Sequence, residues 1–523
     1  MLVALPFAAA VGAPSAPNIL LLFPDQWRFD WDGRGTLPLT LPSIRSLAQR
    51  GTHFRHAYVP APVCSPSRSA LAAGREYDEA GVANNFHNDY NISIPTFYSS
   101  LRAAGFHTMT AGKDDLDKAT QLGTRTKQGN WTGDYHQFAL GFSDGVRAAG
   151  KNDVVDTREP HERYGHWLKQ QPLKNGALTG WDGHYTCMKH AHKCTSELFP
   201  DALYEDNWTG EQALQLLRGR PADQPFFLQV SFPGPHPPFL VTPKQLSAVA
   251  GRTFPGPIDN TDRAAETCAA SAQPKSSSSD RCDYAAEIEN LDRLIGALVA
   301  EVERTDEGLN NTLVCFASDH GEMLGDHGDH GKTMPWQGSA SVPLICAGAG
   351  VTAGGVVSFP VATLDLAATF VDYAQATPPA GSTARSLRPL LEARRPPTVT
   401  DAPRPYVNSG LQSMPFGEEL DAQNGYSWRM VVEVATGLKL VCCRGPCPGA
   451  PKATPPVDPA TGFQQTLLNT TGDPFDMHPI DDAAASARLR AKLPAGFRCG
   501  EKGALTAAEL ESALSAEVLR YFE

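Results

Sequence analysis

The chain has 523 residues, enough for one large α/β core and a smaller companion, because single cores rarely grow past ~250–300 residues. Its 57 acidic residues outnumber 45 basic ones, the formal charge is −12, and no basic stripe interrupts the sequence. That balance excludes a dedicated nucleic-acid binder.

The first segment, Met1 to Ala16, is the only long apolar stretch, and it closes on the small residues Ala13-Pro14-Ser15-Ala16. It is too short to cross a bilayer and reads as a signal peptide over 1–16, so no membrane span is expected. Asn18 to Phe23 follows as a continuous apolar run, the pattern of a strand buried on both faces, and stops at Pro24-Asp25-Gln26. Next comes Val63-Cys64-Ser65-Pro66-Ser67-Arg68, where Pro66 is placed to open a helix and Gly74 to close it. Backbone donors, the helix dipole and the Arg68 guanidinium would then converge on an anion approaching Cys64. Taken alone, Cys64 is equally readable as a small buried hydrophobe.

Three further strand-like runs end on chemically active residues. Phe106 to Ala111 ends in Gly112-Lys113, Phe226 to Phe232 leads through a Pro/Gly turn to His236, and Thr312 to Ala317 ends in Ser318-Asp319-His320-Gly321. Open parallel sheets bind ligands at the carboxyl ends of their strands, so these runs deliver Asp25, Lys113, His236, Asp319 and His320 to one edge. Two aspartates, an amide and an imidazole suit a hard divalent cation. Arg68, Lys113 and Lys332 add positive charge suited to a tetrahedral oxyanion, phosphate or sulfate.

The cysteines and the tail complete the pass. Apart from Cys64, and from Cys315 and Cys346 inside apolar strand-like runs, eight of the 11 cysteines remain, an even number that suggests loop disulfides in an oxidising compartment. Cys187 with Cys194 and Cys268 with Cys282 are the expected local pairs, while Cys442, Cys443, Cys447 and Cys499 allow three connectivities. Sequons at Asn91, Asn130, Asn207, Asn310 and Asn469 fit a secreted glycoprotein. Gln273 to Asp280 is a serine-rich flexible insertion. Trp428 to Val434 and Lys439 to Cys443 alternate as an antiparallel hairpin, and Thr506 to Phe522 has helical spacing with Thr506 as cap.

Cys64-Ser65-Pro66-Ser67-Arg68 resembles the Cys-x-Pro-x-Arg signature of the sulfatase family. Pro17-Asn18-Ile19-Leu20 running into Asp25-Gln26, Gly112-Lys113, Tyr284 to Gly296, the block Ser318 to Gly328, Lys332 and Ser341-Val342-Pro343-Leu344 are similar to other elements of that family. The resemblance spans Pro17 to about Leu391. Asp114-Asp115 after Lys113 looks most like the arylsulfatase K type, which acts on sulfated glycosaminoglycans.

The resemblance implies an alkaline-phosphatase-like α/β fold: a large mixed, mostly parallel sheet flanked by helices over 17–398, then a smaller antiparallel sheet with a helix over 399–523. It implies that a formylglycine-generating enzyme converts Cys64 to formylglycine, whose hydrate attacks sulfur and later expels sulfate through its second oxygen. One Ca2+ per chain would sit on Asp25, Gln26, Asp319, His320 and the converted Cys64. Arg68 would hold the hydrate, Lys113 and Lys332 would grip the sulfate, and His236 would protonate the leaving oxygen. Asn85 is a further contact to sulfate or sugar, with Asn84 competing and helix capping as the plainer reading.

Two positions depart from the family pattern. Gln26 stands where many members have Asp, and Asp115 stands where many have a histidine that helps the hydrate collapse. The implied activity is hydrolysis of a sulfated sugar or aryl sulfate in a secreted or lysosome-like setting. The alternatives are a phosphonate monoester or phosphodiester hydrolase, or a silent binder of sulfated glycans.

Overall fold

The computed structural model describes residues 16–500 except 86–88, 118–132, 152–161, 174–175, 177, 190–194, 260–263, 270–279, 305–307, 413–426, 495–496 and 498. Residues 1–15 of the expected signal peptide, Asn130, Cys194, most of the serine-rich insertion and the helix expected over 506–522 lie outside the described residues.

Fifteen strands are described: β1 Asn18–Leu22, β2 Gly51–Tyr58, β3 His107–Gly112, β4 Asp144–Arg147, β5 Phe226–Ser231, β6 Thr253–Phe254, β7 Glu266–Thr267, β8 Thr312–Phe316, β9 Ser341–Ala347, β10 Gly355–Val357, β11 Val361–Ala362, β12 Tyr406–Leu411, β13 Ser427–Glu433, β14 Leu438–Arg444 and β15 Phe463–Asn469. Nine of them form one sheet in the order β10-β2-β9-β8-β1-β5-β3-β4, with β11 also on β2. The run β8-β1-β5-β3-β4 is parallel throughout, and β9 is antiparallel to both β2 and β8. Mixed but mostly parallel is therefore the observed architecture.

The strand-like runs read from the sequence become the centre of this sheet, each within a residue of its expected limits. The lack of alternation in β1 has a simple cause. Ile19 and Leu21 of β1 enter one apolar core and Leu20 and Leu22 the other, so both faces of the strand are covered. The helix Asp280–Arg304 covers one face, burying Tyr284, Ile288, Leu291, Ile295, Leu298 and Val302 at helical spacing.

The small sheet runs β12-β13-β14-β15, all antiparallel, and contains the expected hairpin. Trp428, Met430 and Val432 pack into the main core, while Val431 faces the helix Ala483–Arg490 through Ala485 and Leu489. Lys439 and Asp476, both fully buried, form an ion pair of 2.6 Å, and Asp476 also accepts from Gln337 N at 2.9 Å, tying the small sheet to the large domain.

Contrary to the expectation that leaves them out of the disulfides, Cys315 and Cys346 form a bridge. Antiparallel pairing places them directly opposite each other on β8 and β9, with Cα atoms 4.2 Å apart, which no reading of separate apolar runs reveals. Cys268 bonds Cys282 as expected. Among the late cysteines the connectivity is Cys442–Cys499 and Cys443–Cys447. Strand alternation explains it, since Cys442 points to the helix side with Cys499 and Cys443 to the main core with Cys447. Cys187 is also in a disulfide.

Candidate active site

The helix Cys64–Ala73 is buried along its whole length, which its run of serines and alanines permits. It begins at Cys64 itself, so Pro66 sits inside the first turn, where a missing N–H costs nothing. Gly74 ends it at φ 60°, with Gly74 N bonded to Leu71 O and Arg75 N to Ala70 O. Asn85 Oδ1 accepts from Ser65 N at 2.9 Å, and Ser67 Oγ donates to the Asp319 carbonyl at 2.6 Å. The first turn is thus fixed to the strand end that carries Asp319.

Cys64 is buried and lies outside the disulfides. Its Sγ receives Lys332 Nζ at 2.9 Å and Lys113 Nζ at 3.7 Å, and His320 Nε2 lies 3.3 Å away. Arg68 threads beneath: Nε donates to Asp319 Oδ2 at 2.8 Å, one terminal nitrogen to the Lys113 carbonyl at 2.5 Å and the other to Asp25 Oδ2 at 3.2 Å. Ligating atoms of Asp25, Cys64, Asp319 and His320 all lie within 4.8 Å of one another, and all four residues are buried.

This cluster fits a hard cation. Asp25 Oδ1 and Gln26 Oε1 are buried with no hydrogen-bond partner, an expensive arrangement unless something else takes their lone pairs. His320 Nδ1 donates to Gly321 O at 3.1 Å, which leaves Nε2 as the lone-pair nitrogen facing the cluster. Burial alone would raise the Asp25 carboxyl, but Lys113, His236, Lys332 and His320 outweigh it and hold the group well below the usual carboxylate range. The carboxylate is therefore ready-charged. Lys113 is held well above its ordinary range, with burial opposed by Asp115 and Asp25.

At the mouth stand Lys332 and His236, both half-buried. His236 Nδ1 donates to Pro237 O, and Nε2 meets Lys332 Nζ at 2.7 Å. The tandem aspartates part company. Asp114 turns to Arg147 of β4 at 2.5 Å, whereas Asp115, at φ 54°, lies 3.2 Å from Lys113 Nζ and so enters the site. Asp25, Gln26, Arg68, Lys113, Asp115, His236, Asp319, His320 and Lys332 therefore gather around Cys64, with Asn85 one step behind at the helix start.

Other residues were not foreseen. Glu322 accepts from Gln26 Nε2 and from the amides of Leu324 and Gly331. Because a carboxylate can only accept, it sets the Gln26 amide with its nitrogen toward Glu322 and its oxygen available elsewhere. Tyr284 OH donates to Gln26 O at 2.7 Å and receives Arg28 N at 2.8 Å, clamping the loop that carries Gln26 at φ 69°. Glu322 lies only three residues past Asp319, inside a block already marked as chemically active, and that proximity was the available signal.

The geometry has counterparts. The family model "Sulfatase" matches residues 17–376. Choline-sulfatase of Rhizobium meliloti (strain 1021) is 28% identical over 453 residues, covering 82% of this chain and 79% of its own, and arylsulfatase K of Danio rerio is 25% identical, covering 72% and 68%. Among solved structures, one in complex with its substrate D-glucosamine-2-N,6-O-disulfate aligns with TM-score 0.62 at 18% identity, over 92% of this chain and 96% of that one. The phosphonate monoester hydrolase of Agrobacterium radiobacter aligns with TM-score 0.63 at 19% identity, over 96% of each chain. At such identities the structural likeness establishes the alkaline-phosphatase-like fold. With the family match spanning most of its length and a Cys-x-Pro-x-Arg helix at the centre of its cation cluster, this chain belongs to the sulfatases, the hydrolases of sulfuric esters.

Proposed function

We propose that the chain is a formylglycine-dependent, calcium-binding sulfatase acting on a sulfated sugar. The observation that carries this is the convergence of Lys113, Lys332 and His320 on Cys64 Sγ, above two buried acceptors, Asp25 Oδ1 and Gln26 Oε1, that lack donors. Asp25, Gln26, Asp319 and His320 would hold the calcium beside Cys64, and the ion would neutralise sulfate oxygens and favour the ionised nucleophile. Converted Cys64, the product of a formylglycine-generating enzyme, would supply one oxygen for attack on sulfur and a second for expelling sulfate.

The remaining steps belong to side chains. Lys113 and Lys332 bind the sulfate through charge-assisted hydrogen bonds. Arg68, anchored on Asp25 and Asp319, orients the nucleophile and balances charge. His236, with Nδ1 spent on Pro237 O, presents Nε2 to the leaving oxygen and delivers its proton there. Asp115, beside Lys113, takes the proton whose removal lets sulfate depart, filling the place of the absent histidine. Asn85 remains a contact to sulfate or sugar. The substrate bound in one structural neighbour, a sulfated glucosamine, supports the sugar assignment. The disulfides, the leader and the sequons support a secreted or lysosome-like setting, and no helix among the described residues is long and apolar enough to cross a membrane.

The test is hydrolysis by protein co-expressed with the converting enzyme. Sulfated saccharides and nitrophenyl sulfate are expected to be cleaved far faster than phosphodiesters or phosphonate monoesters. The reverse ranking would favour the second reading, which the phosphonate hydrolase likeness keeps in play. An unmodified Cys64 in active-site peptides from that protein, together with no turnover, would favour a silent binder.

Two variants refine the assignment. His236→Ala is expected to lose about 10²–10⁴-fold on substrates with poor leaving groups and much less on nitrophenyl sulfate, because only the former need a proton. Equal losses on both would remove the general-acid role. Glu322→Gln frees the Gln26 amide to rotate and is expected to weaken calcium binding by about 10–100-fold. Calorimetric titration of chelator-treated protein measures this directly, and an unchanged affinity would refute it.

A further inference from the structure

Asp206 is fully buried in the first turn of the helix Glu205–Gly219, and the proposed reaction does not use it. Its Oδ1 accepts from Gly234 N at 2.8 Å. Gly234 backs directly onto that carboxylate, since a Cβ at this position would lie 2.5 Å from Asp206 Oδ2. Two residues on, His236 N closes a turn on Pro233 O at 3.3 Å, and the His236 ring is itself pinned to Pro237 O. The direction of His236 Nε2 is therefore set by the backbone of residues 233–237, and Asp206 grips the middle of that segment.

The carboxylate is supported in turn. Lys151 Nζ lies 3.9 Å from Asp206 Oδ2, 2.6 Å from Glu287 Oε2 and 3.0 Å from Tyr204 OH, and all four groups are buried. Lys151 follows β4, and Glu287 comes from the helix Asp280–Arg304, so three distant segments meet behind the His236 turn. Burial pushes the Asp206 carboxyl up, and Lys151 opposes that push. A buried ionic cluster is weak evidence for stability, because desolvation can exceed the attraction it gains. It meets the active-site turn through the bond to Gly234.

We propose that Asp206, backed by Lys151 and Glu287, is a positioning residue for His236 and so for proton delivery to the leaving group. The proposal rests on His236 being the general acid.

The test uses full-length, formylglycine-bearing enzyme and a series of substituted phenyl sulfates whose phenols differ in acidity. Asp206→Ala is expected to lose about 10–100-fold in kcat on the poorest leaving groups and under about threefold on the best, with KM little changed. In the His236→Ala background the same change should cost no more than about twofold further, because both act through one proton transfer. Asp206→Asn keeps an oxygen for Gly234 N and is expected to recover most of the loss. Gly234→Ala drives the turn and the carboxylate apart from the other side and should reproduce the selective loss, which keeps the test decisive if Asp206→Ala does not fold. Equal losses across the series, or full additivity with His236→Ala, would overturn the positioning role. If His236→Ala shows no leaving-group dependence, the general-acid reading falls and takes this proposal with it. If His236→Ala is selective but neither Asp206→Ala nor Gly234→Ala is, only the positioning role fails.

Discussion

Cys64→Ala is expected to lower turnover by at least about 10⁴-fold while leaving the melting temperature and calcium binding close to those of the parent enzyme. The structure separates these effects. Cys64 contributes no disulfide, its helix is held by Gly74 at one end and by Asn85 and Ser67 at the other, and the oxygen ligands of the cluster come from other segments. On the proposed mechanism, loss of the thiol removes the group whose oxidation to an aldehyde would supply the nucleophilic hydrate. Steady-state kinetics beside thermal unfolding checks the point. A Cys64→Ala enzyme retaining substantial turnover would refute the nucleophile assignment, and one that failed to fold would show the residue to be structural.

Asp319→Asn is expected to abolish most activity and to weaken calcium binding by more than the about 10–100-fold that partners behind a ligand control. Asp319 is a junction. Oδ1 accepts from the amides of Gln26 and His320, and Oδ2 accepts from Arg68 Nε. An amide removes one negative charge from the cation cluster and must set its NH2 against one of those donors. Arg68 would then lose one of its two carboxylate partners in a fully buried site, which is costly. Calcium titration with chelator-treated protein gives a readout independent of turnover. If neither the variant nor the parent responds to removal and return of calcium, the ion assignment is wrong.

Much of this was legible in the sequence because parallel sheets are forgiving to read. A strand buried on both faces tends to be continuously apolar, which marks β1, while β3, β5 and β8 read as strand-like runs that also carry Thr108, Thr110, Gln229 and Thr312. The carboxyl ends of parallel strands necessarily fall on one edge, which brings Asp25, Lys113, His236 and Asp319 together. The helix at Cys64 was equally plain, since Pro and Gly carry their own conformational limits. Glu322, Asp206 and Lys151 were not visible. Each acts by hydrogen bonds or ion pairs to residues whose nearness depends on how loops and helices pack, and nothing in their local sequence distinguishes them from solvated charges.

The sequence by itself determined β1, β3, β5, β8 and the β13–β14 hairpin, the start and stop of the Cys64 helix, and the chemical groups available at the sheet edge, because these depend on local composition and on each residue's own conformational range. Only the tertiary structure decided the Cys315–Cys346 bridge, the separate partners of Cys442 and Cys443, and the divergence of Asp114 toward Arg147 from Asp115 toward Lys113. These are matters of register and facing, where a shift of one residue exchanges the two sides of a strand or turn, and only the packed chain sets that register.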